Sequence, residues 1–175
     1  MTGAAKEAGG QSALYAEAER LYAAALARLA RGYEADRELC RDLQQEIHVR
    51  LWQSLARFDG RCSLRTWVYR VAHNVACTHV TTQRRRAELV TLEALAAMPA
   101  EGDQEAATDR RRVGERLLGL IQQLAAIDRQ LILLHLEGFE AAAMAEVSGL
   151  SIANVNTKLC RIRKVLAERV QRGGV

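Results

Sequence analysis

Leu39, Leu43, Ile47, Leu51 and Leu55 recur at every fourth position without interruption. Only a helix sorts them from the polar residues between them, because a strand would bring Arg41, Gln45 and Gln53 onto the same face. The ladder therefore predicts a helix with a buried leucine edge, Trp52 beside it, and Asp42, Gln45, Glu46 and Arg50 on the opposite face. Similar periods appear in Leu14, Ala18, Leu21, Ala25 and Leu29, in Leu64, Val68, Val71 and Val75, and in Val113, Leu117, Leu120, Ile121 and Leu124. The 175 residues include a single proline, Pro99, and are rich in Ala, Leu, Arg, Glu and Gln. The expectation is an all-α chain.

Local signals divide that chain. Phe58-Asp59-Gly60-Arg61-Cys62 breaks the second helix, and Ser63 is placed to cap a third that runs into Arg84-Arg85-Arg86. Residues 87–112 read as a flexible acidic linker containing Pro99 and Gly102, with partial helix between Leu92 and Met98. Beyond it, Asp128 is expected to cap a helix from Arg129 to Glu137 that Gly138 ends. Phe139 to Val147, a turn at Ser148-Gly149-Leu150-Ser151 and a last helix from Ile152 to Val170 follow. The layout is a disordered tail (1–13), a helical domain (14–86), the linker, and a second helical domain (113–172).

No apolar run approaches the ~20 residues of a membrane span. Met1–Ser12 lacks the pattern of a signal peptide, so a cytoplasmic protein without membrane insertion is expected. Cys40, Cys62, Cys77 and Cys160 form no CxxC pair and read as free thiols. His73 and Cys77 share a helix face but lack a second ligand pair, so neither metal nor cofactor is expected.

The charge distribution is more informative than the net +4. Residues 61–86 hold six basic and no acidic side chains, residues 87–109 six acidic and no basic ones, and residues 151–175 six basic against Glu168 alone. Two basic blocks separated by an acidic stretch suit two contacts with one polyanion. In the first block Trp67, Arg70 and Asn74 lie at i, i+3 and i+7, a stripe suited either to stacking on unpaired bases or, for Trp67, to core packing. In the second, Ala145, Gly149 and Val155 have the spacing of a helix-turn-helix. Ser151 can cap its second helix, which would then present Asn154, Asn156, Thr157, Lys158, Arg161 and Arg163 to base edges and phosphates.

These residues resemble one family. Asp42-Leu43-Gln44-Gln45-Glu46 leading to Arg50-Leu51-Trp52, Phe58-Asp59-Gly60-Arg61, and Leu64-Arg65-Thr66-Trp67 through Asn74 are similar to extracytoplasmic-function sigma factors of bacterial RNA polymerase. Leu136-Glu137-Gly138 through Ala145-Glu146-Val147 and Gly149-Leu150-Ser151 to Arg163 resemble that family's fourth conserved region. The resemblance covers about residues 14–172, with both domains in order.

It implies a non-enzymatic subunit that directs core polymerase to promoters. Asp42, Gln45, Glu46, Arg50 and Trp52 would dock on the clamp of the beta-prime subunit, and the second domain on the beta flap. Phe58, Arg61, Arg65, Trp67, Arg70 and Asn74, with Arg84, Arg85 and Arg86, would hold the minus-ten element, Asn74 lining a pocket for a flipped base. Ser151, Asn154, Asn156, Thr157, Lys158, Arg161 and Arg163 would meet the minus-thirty-five element. An anti-sigma factor or other regulator is a further implied partner.

Two features depart from the family pattern. Leu39-Cys40-Arg41 stands where an acidic cluster usually precedes the aspartate, and Asn156 stands where Lys or Arg is frequent. A rival expectation is a helix-turn-helix regulator that binds duplex DNA without polymerase; no phosphate loop or HExxH motif suggests an enzyme.

Overall fold

The computed structural model describes residues 3–91 and 109–172, with side chains for residues 10–85 and 114–171. Among them seven helices form and no strand: α1 (Gly3–Tyr33), α2 (Arg37–Leu55), α3 (Leu64–Thr91), α4 (Asp109–Gln122), α5 (Ala126–Leu136), α6 (Ala141–Ser148) and α7 (Ile152–Arg172). The expected helix between Leu92 and Met98, and most of the expected linker, lie outside the described residues.

The first half is a three-helix bundle. Leu43, Ile47, Leu51 and Leu55 are all buried on α2, joined by Cys40, while Leu39, the first rung of the ladder, is half-buried. Asp36 caps α2 by accepting the N–H groups of Glu38 and Leu39 at 2.9 Å. Helix α1 begins at Gly3, upstream of Leu14, where the apolar period starts. It also buries a wider face than expected, with Leu26, Ala30 and Tyr33 inside and Leu21 46% exposed.

Helix α3 starts at Ser63, whose hydroxyl accepts the Thr66 N–H at 3.0 Å. Its buried face differs from the valine stripe: Val68, Tyr69, Ala72, His73 and Ala76 are inside, while Val71 and Val75 are half-buried. The cause is packing on more than one side, against α1 and α2 and also against α6. Alanines permit the close approach, while Tyr69 and His73 fill the wider gaps. His73 Nδ1 pairs with the Tyr33 hydroxyl at 2.9 Å, and its Nε2 has no partner. Burial pushes its pKa down to about 3, so the ring is neutral at ordinary pH.

The second half packs α4 to α7 around Ile121, Leu131, Leu134, Met144, Val155, Leu159 and Ile162. Helix α5 starts earlier than expected: Ala125 is its N-cap, without a side-chain bond, and Asp128 lies in its first turn. Asp128 is drawn away from capping by two cations of α7. Phe139 is not helical either; it sits before α6 and is buried. Gly149 ends α6 at φ 74°, a left-handed conformation that favours glycine.

The halves meet directly. At Gly32 of α1, an added Cβ would lie 2.7 Å from both methyl carbons of Leu133 on α5. Glycine is what permits this crossing. Arg129 of α5 donates to the Tyr33 carbonyl at 3.2 Å, and Gln122 to the Arg31 carbonyl at 2.7 Å.

Candidate functional site

Three surfaces carry the residues singled out by sequence. On α2, Asp42, Gln45, Glu46, Arg50 and Trp52 are all exposed on the side away from the leucine seam. Glu46 and Arg50 form an i,i+4 ion pair at 2.6 Å. Trp52 is 47% exposed and Val49 50%, leaving an apolar centre among charges. Such a face suits protein docking better than solvation. In the same helix Cys40 is buried and Arg41 exposed, so only Arg41 can present its charge outward.

The second surface follows the loop into α3. Asn74 is exposed, as the stripe predicts, but Trp67 is half-buried. Its indole N–H donates to the Ser54 hydroxyl at 3.0 Å, and its ring meets Phe58 edge-on at 5.4 Å. Trp67 therefore packs, and Phe58 with it. Arg61 stays outside, paired to the Asp59 carboxylate. The Arg61 backbone N–H and guanidinium both donate to the Asp59 carboxylate and hold it below its usual range.

Arg65 and Arg70 turn towards the second half of the chain. Arg65 donates to the Glu137 carbonyl and lies 4.0 Å from the centre of the Phe139 ring. Phe139 in turn meets Tyr69 edge-on at 4.7 Å. The Glu137 carboxylate accepts from Nε and Nη2 of Arg28, at 2.8 and 2.9 Å, and from the Tyr69 hydroxyl at 3.1 Å. The Arg28 hydrogen bonds hold its carboxyl below the usual range. Arg70 donates to the Glu146 carbonyl at 3.0 Å. Glu137 and Phe139 are thus the hub of a junction that sequence inspection did not single out. An apolar residue following the helix-ending Gly138 was its one available signal. Arg84 and Arg85 are exposed further along α3, and the Arg86 side chain lies outside the described ones.

The third surface is α7. Val155, Leu159, Ile162 and Leu166 bury one edge and so turn Asn154, Asn156, Thr157 and Arg163 outward. Ser151 Oγ accepts the Asn154 N–H at 3.3 Å. Thr157 donates to the Ala153 carbonyl at 2.9 Å. Lys158 and Arg161 instead reach back to the two oxygens of buried Asp128, at 2.9 and 2.8 Å. The Arg161 side chain remains 63% exposed, which leaves it accessible to an anion.

Among the described residues no group of three or more potential metal ligands occurs, and no helix is long and apolar enough to cross a membrane.

The family model "Sigma-70 region 2" matches residues 20–86, and "Sigma-70, region 4" matches residues 114–166. RNA polymerase sigma-H factor of Pseudomonas aeruginosa is 27% identical over 145 residues, covering 78% of this chain and 75% of that protein. RNA polymerase sigma factor YlaC of Bacillus subtilis is 28% identical, with 76% and 78% covered. ECF RNA polymerase sigma factor SigG of Mycobacterium tuberculosis is 30% identical, but this chain spans only 40% of its length. Two solved structures share the fold. CnrH in complex with the cytosolic domain of CnrY gives a TM-score of 0.68 at 22% identity, over 97% of this chain and 95% of that one. The sigma factor RpoE in complex with the anti-sigma factor NepR from Bartonella quintana gives 0.70 at 18%, over 90% and 96%.

Proposed function

The chain belongs to the extracytoplasmic-function class of the sigma-70 family of RNA polymerase sigma factors, and we infer from its exposed faces how it directs core polymerase to promoters. The face of α2 from Asp42 to Trp52 docks on the beta-prime clamp, with Trp52 and Val49 at the centre and the charges as a rim. Region 4 engages the beta flap and lays α7 into the major groove of the minus-thirty-five element. Region 2 holds the opened minus-ten strand, with the Asn74 amide hydrogen-bonding an extruded base. Arg61, Arg65, Arg70, Arg84 and Arg85 serve the backbone phosphates, and Arg86 is assigned with them from its place in the arginine run. Trp67 and Phe58 act by packing, each giving the other a fixed position beneath the loop.

The protein works in the cytoplasm, where polymerase is, and needs no catalytic group because polymerase performs the chemistry. Its regulator is an anti-sigma factor or an equivalent partner; CnrH and RpoE, which share its fold, are each held by one partner chain in the structures compared above. The observation that carries the reading is the co-occurrence, in order, of an exposed docking face, an exposed Asn74 and an exposed α7 amide face. A duplex-binding regulator uses the last and leaves the first two without a task.

Run-off transcription with core polymerase on a library of genomic fragments tests this. Transcripts beginning downstream of two shared sequence elements are expected. Tight binding to such fragments by the protein alone, without transcripts when core polymerase is added, would overturn it.

A further inference from the structure

Arg84, Arg85 and Arg129 line one cleft of about 270 Å³, with Thr81 and Ala126 beside them. Its walls come from α3 on one side and the α4–α5 turn on the other, so both halves of the chain build it.

Arg129 is 3% exposed, yet no carboxylate among the described residues pairs with it. Its terminal nitrogens donate to the carbonyls of Tyr33 and Gln122, the last residues of α1 and α4, whose partial negative charge offsets part of its own, and to that of Leu124 in the following turn. Its Nε has no partner at all. The nearby Glu34 carboxylate is already held by His79 Nε2 at 2.9 Å and by the Asp36 N–H at 3.0 Å. Burial, and to a smaller extent Arg84, make the charged form of Arg129 harder to keep, while Tyr33, Cys77 and Glu34 act the other way without offsetting the burial. Arg84 and Arg85 are exposed at the rim and have no ion-pair partner among the described residues. Among the described residues the Glu34 carboxylate is the one anionic side chain acting on Arg129, and with Arg84 and Arg85 beside it the cleft keeps an excess of positive charge that an anion would relieve.

We propose that this cleft binds a diphosphate group. Arg84 and Arg85 present two guanidinium forks at the rim that match the forked oxygens of a diphosphate, with the Arg129 charge behind them, whereas one carboxylate would leave one fork unpaired. The cleft falls below the ~300–1,000 Å³ of sites that enclose a whole organic ligand, so the diphosphate is what it holds. Because both halves supply walls, the bound anion favours the packed arrangement over a separated one. It also occupies Arg84 and Arg85, and so opposes promoter engagement; this consequence rests on the function proposed above, while the binding itself does not.

Calorimetric titration of the full chain with pyrophosphate, ADP, orthophosphate and sulfate at constant ionic strength tests the binding. Ala126 is exposed at the first position of α5, where a carboxylate suits the helix, so Ala126→Glu keeps the fold while placing an anion in the cleft. Ala126→Gln is its uncharged control. One saturable site for pyrophosphate is expected, weakened at least about tenfold by Ala126→Glu and less than about threefold by Ala126→Gln. Equal affinity for ADP identifies a nucleotide's terminal diphosphate, and failure of ADP identifies free diphosphate; either supports the site. A non-saturating response, equal affinity for sulfate, or indifference to Ala126→Glu overturns it. Such a failure leaves run-off transcription, and with it the proposed function, untouched.

Discussion

Helices α3 and α7 carry the same classes of side chain in the faces proposed to meet DNA, but those side chains are committed differently. On α7 the amides and Thr157 face solvent, and Lys158 and Arg161 answer to Asp128 within their own half. On α3, Arg65 and Arg70 are taken up by the other half, through the carbonyls of Glu137 and Glu146 and the ring of Phe139. Asn74, Arg84 and Arg85 are left outward. The outward amides and Thr157 of α7 are open to a partner as they stand. The α3 face must exchange protein partners for phosphates before Arg65 and Arg70 can serve DNA. Similar chemistry on two helices therefore does not mean equal readiness.

The largest effect that sharpens this contrast should come from paired amide variants. Asn74→Ala is expected to remove ~1–3 kcal/mol of minus-ten discrimination while leaving core binding intact. Asn156→Ala should act only on the minus-thirty-five preference, which an amide directs to adenine. Open-complex formation on promoters randomised at each element separates the two; the same loss on every sequence would break the comparison.

Next comes Asp128→Ala, which strips Lys158 and Arg161 of their partner. Region 4 should lose about 2 kcal/mol in denaturant unfolding, moderated by the exposure of Arg161. Unchanged stability would mean that these cations are held elsewhere and that α7 is as uncommitted as its amides.

Glu137→Gln should cost less, about 1 kcal/mol of packing between the halves, because the Arg28 side chain is 53% exposed. Fluorophores on the two halves would report a longer mean distance. The wild-type junction has its own pH signature. The folded carboxyl titrates below its ordinary value, so its contribution is full above that value and is lost as pH falls through the lowered one. A distance that ignores both the variant and acid would remove the argument that α3 is held by region 4.

The smallest effect concerns α2. Arg41→Glu should tighten core-polymerase binding by ~0.2–1 kcal/mol at low salt, fading as salt rises. Cys40→Asp is a poor probe of the same idea, because Cys40 is buried and a carboxylate there would damage the seam. Equal affinities for wild type and Arg41→Glu would place this segment off the contact.

Much of the architecture was legible because it is local. The ladder from Leu43 to Leu55, the Ser63 cap, the Gly149 turn and the outward amides of α7 each follow from spacing within a few helical turns. The exposure of the α2 face came with them, since a buried edge determines its opposite. The role of Asp128 was misread for a related reason: its position suits a cap, and no spacing reveals two cations thirty or more residues away.

What the tertiary structure alone decided is where residues distant in sequence compete for one partner. The burial of Tyr69 and His73 in place of the outer valines depends on α3 being packed from several sides. Glu137 meets Arg28 across 109 positions, and Arg129 meets the Tyr33 carbonyl across 96. A helical period encodes which face is apolar, because that face needs only to leave water. Hydrogen bonds and ion pairs require particular atoms within about 3 Å, and only the folded chain brings those atoms together.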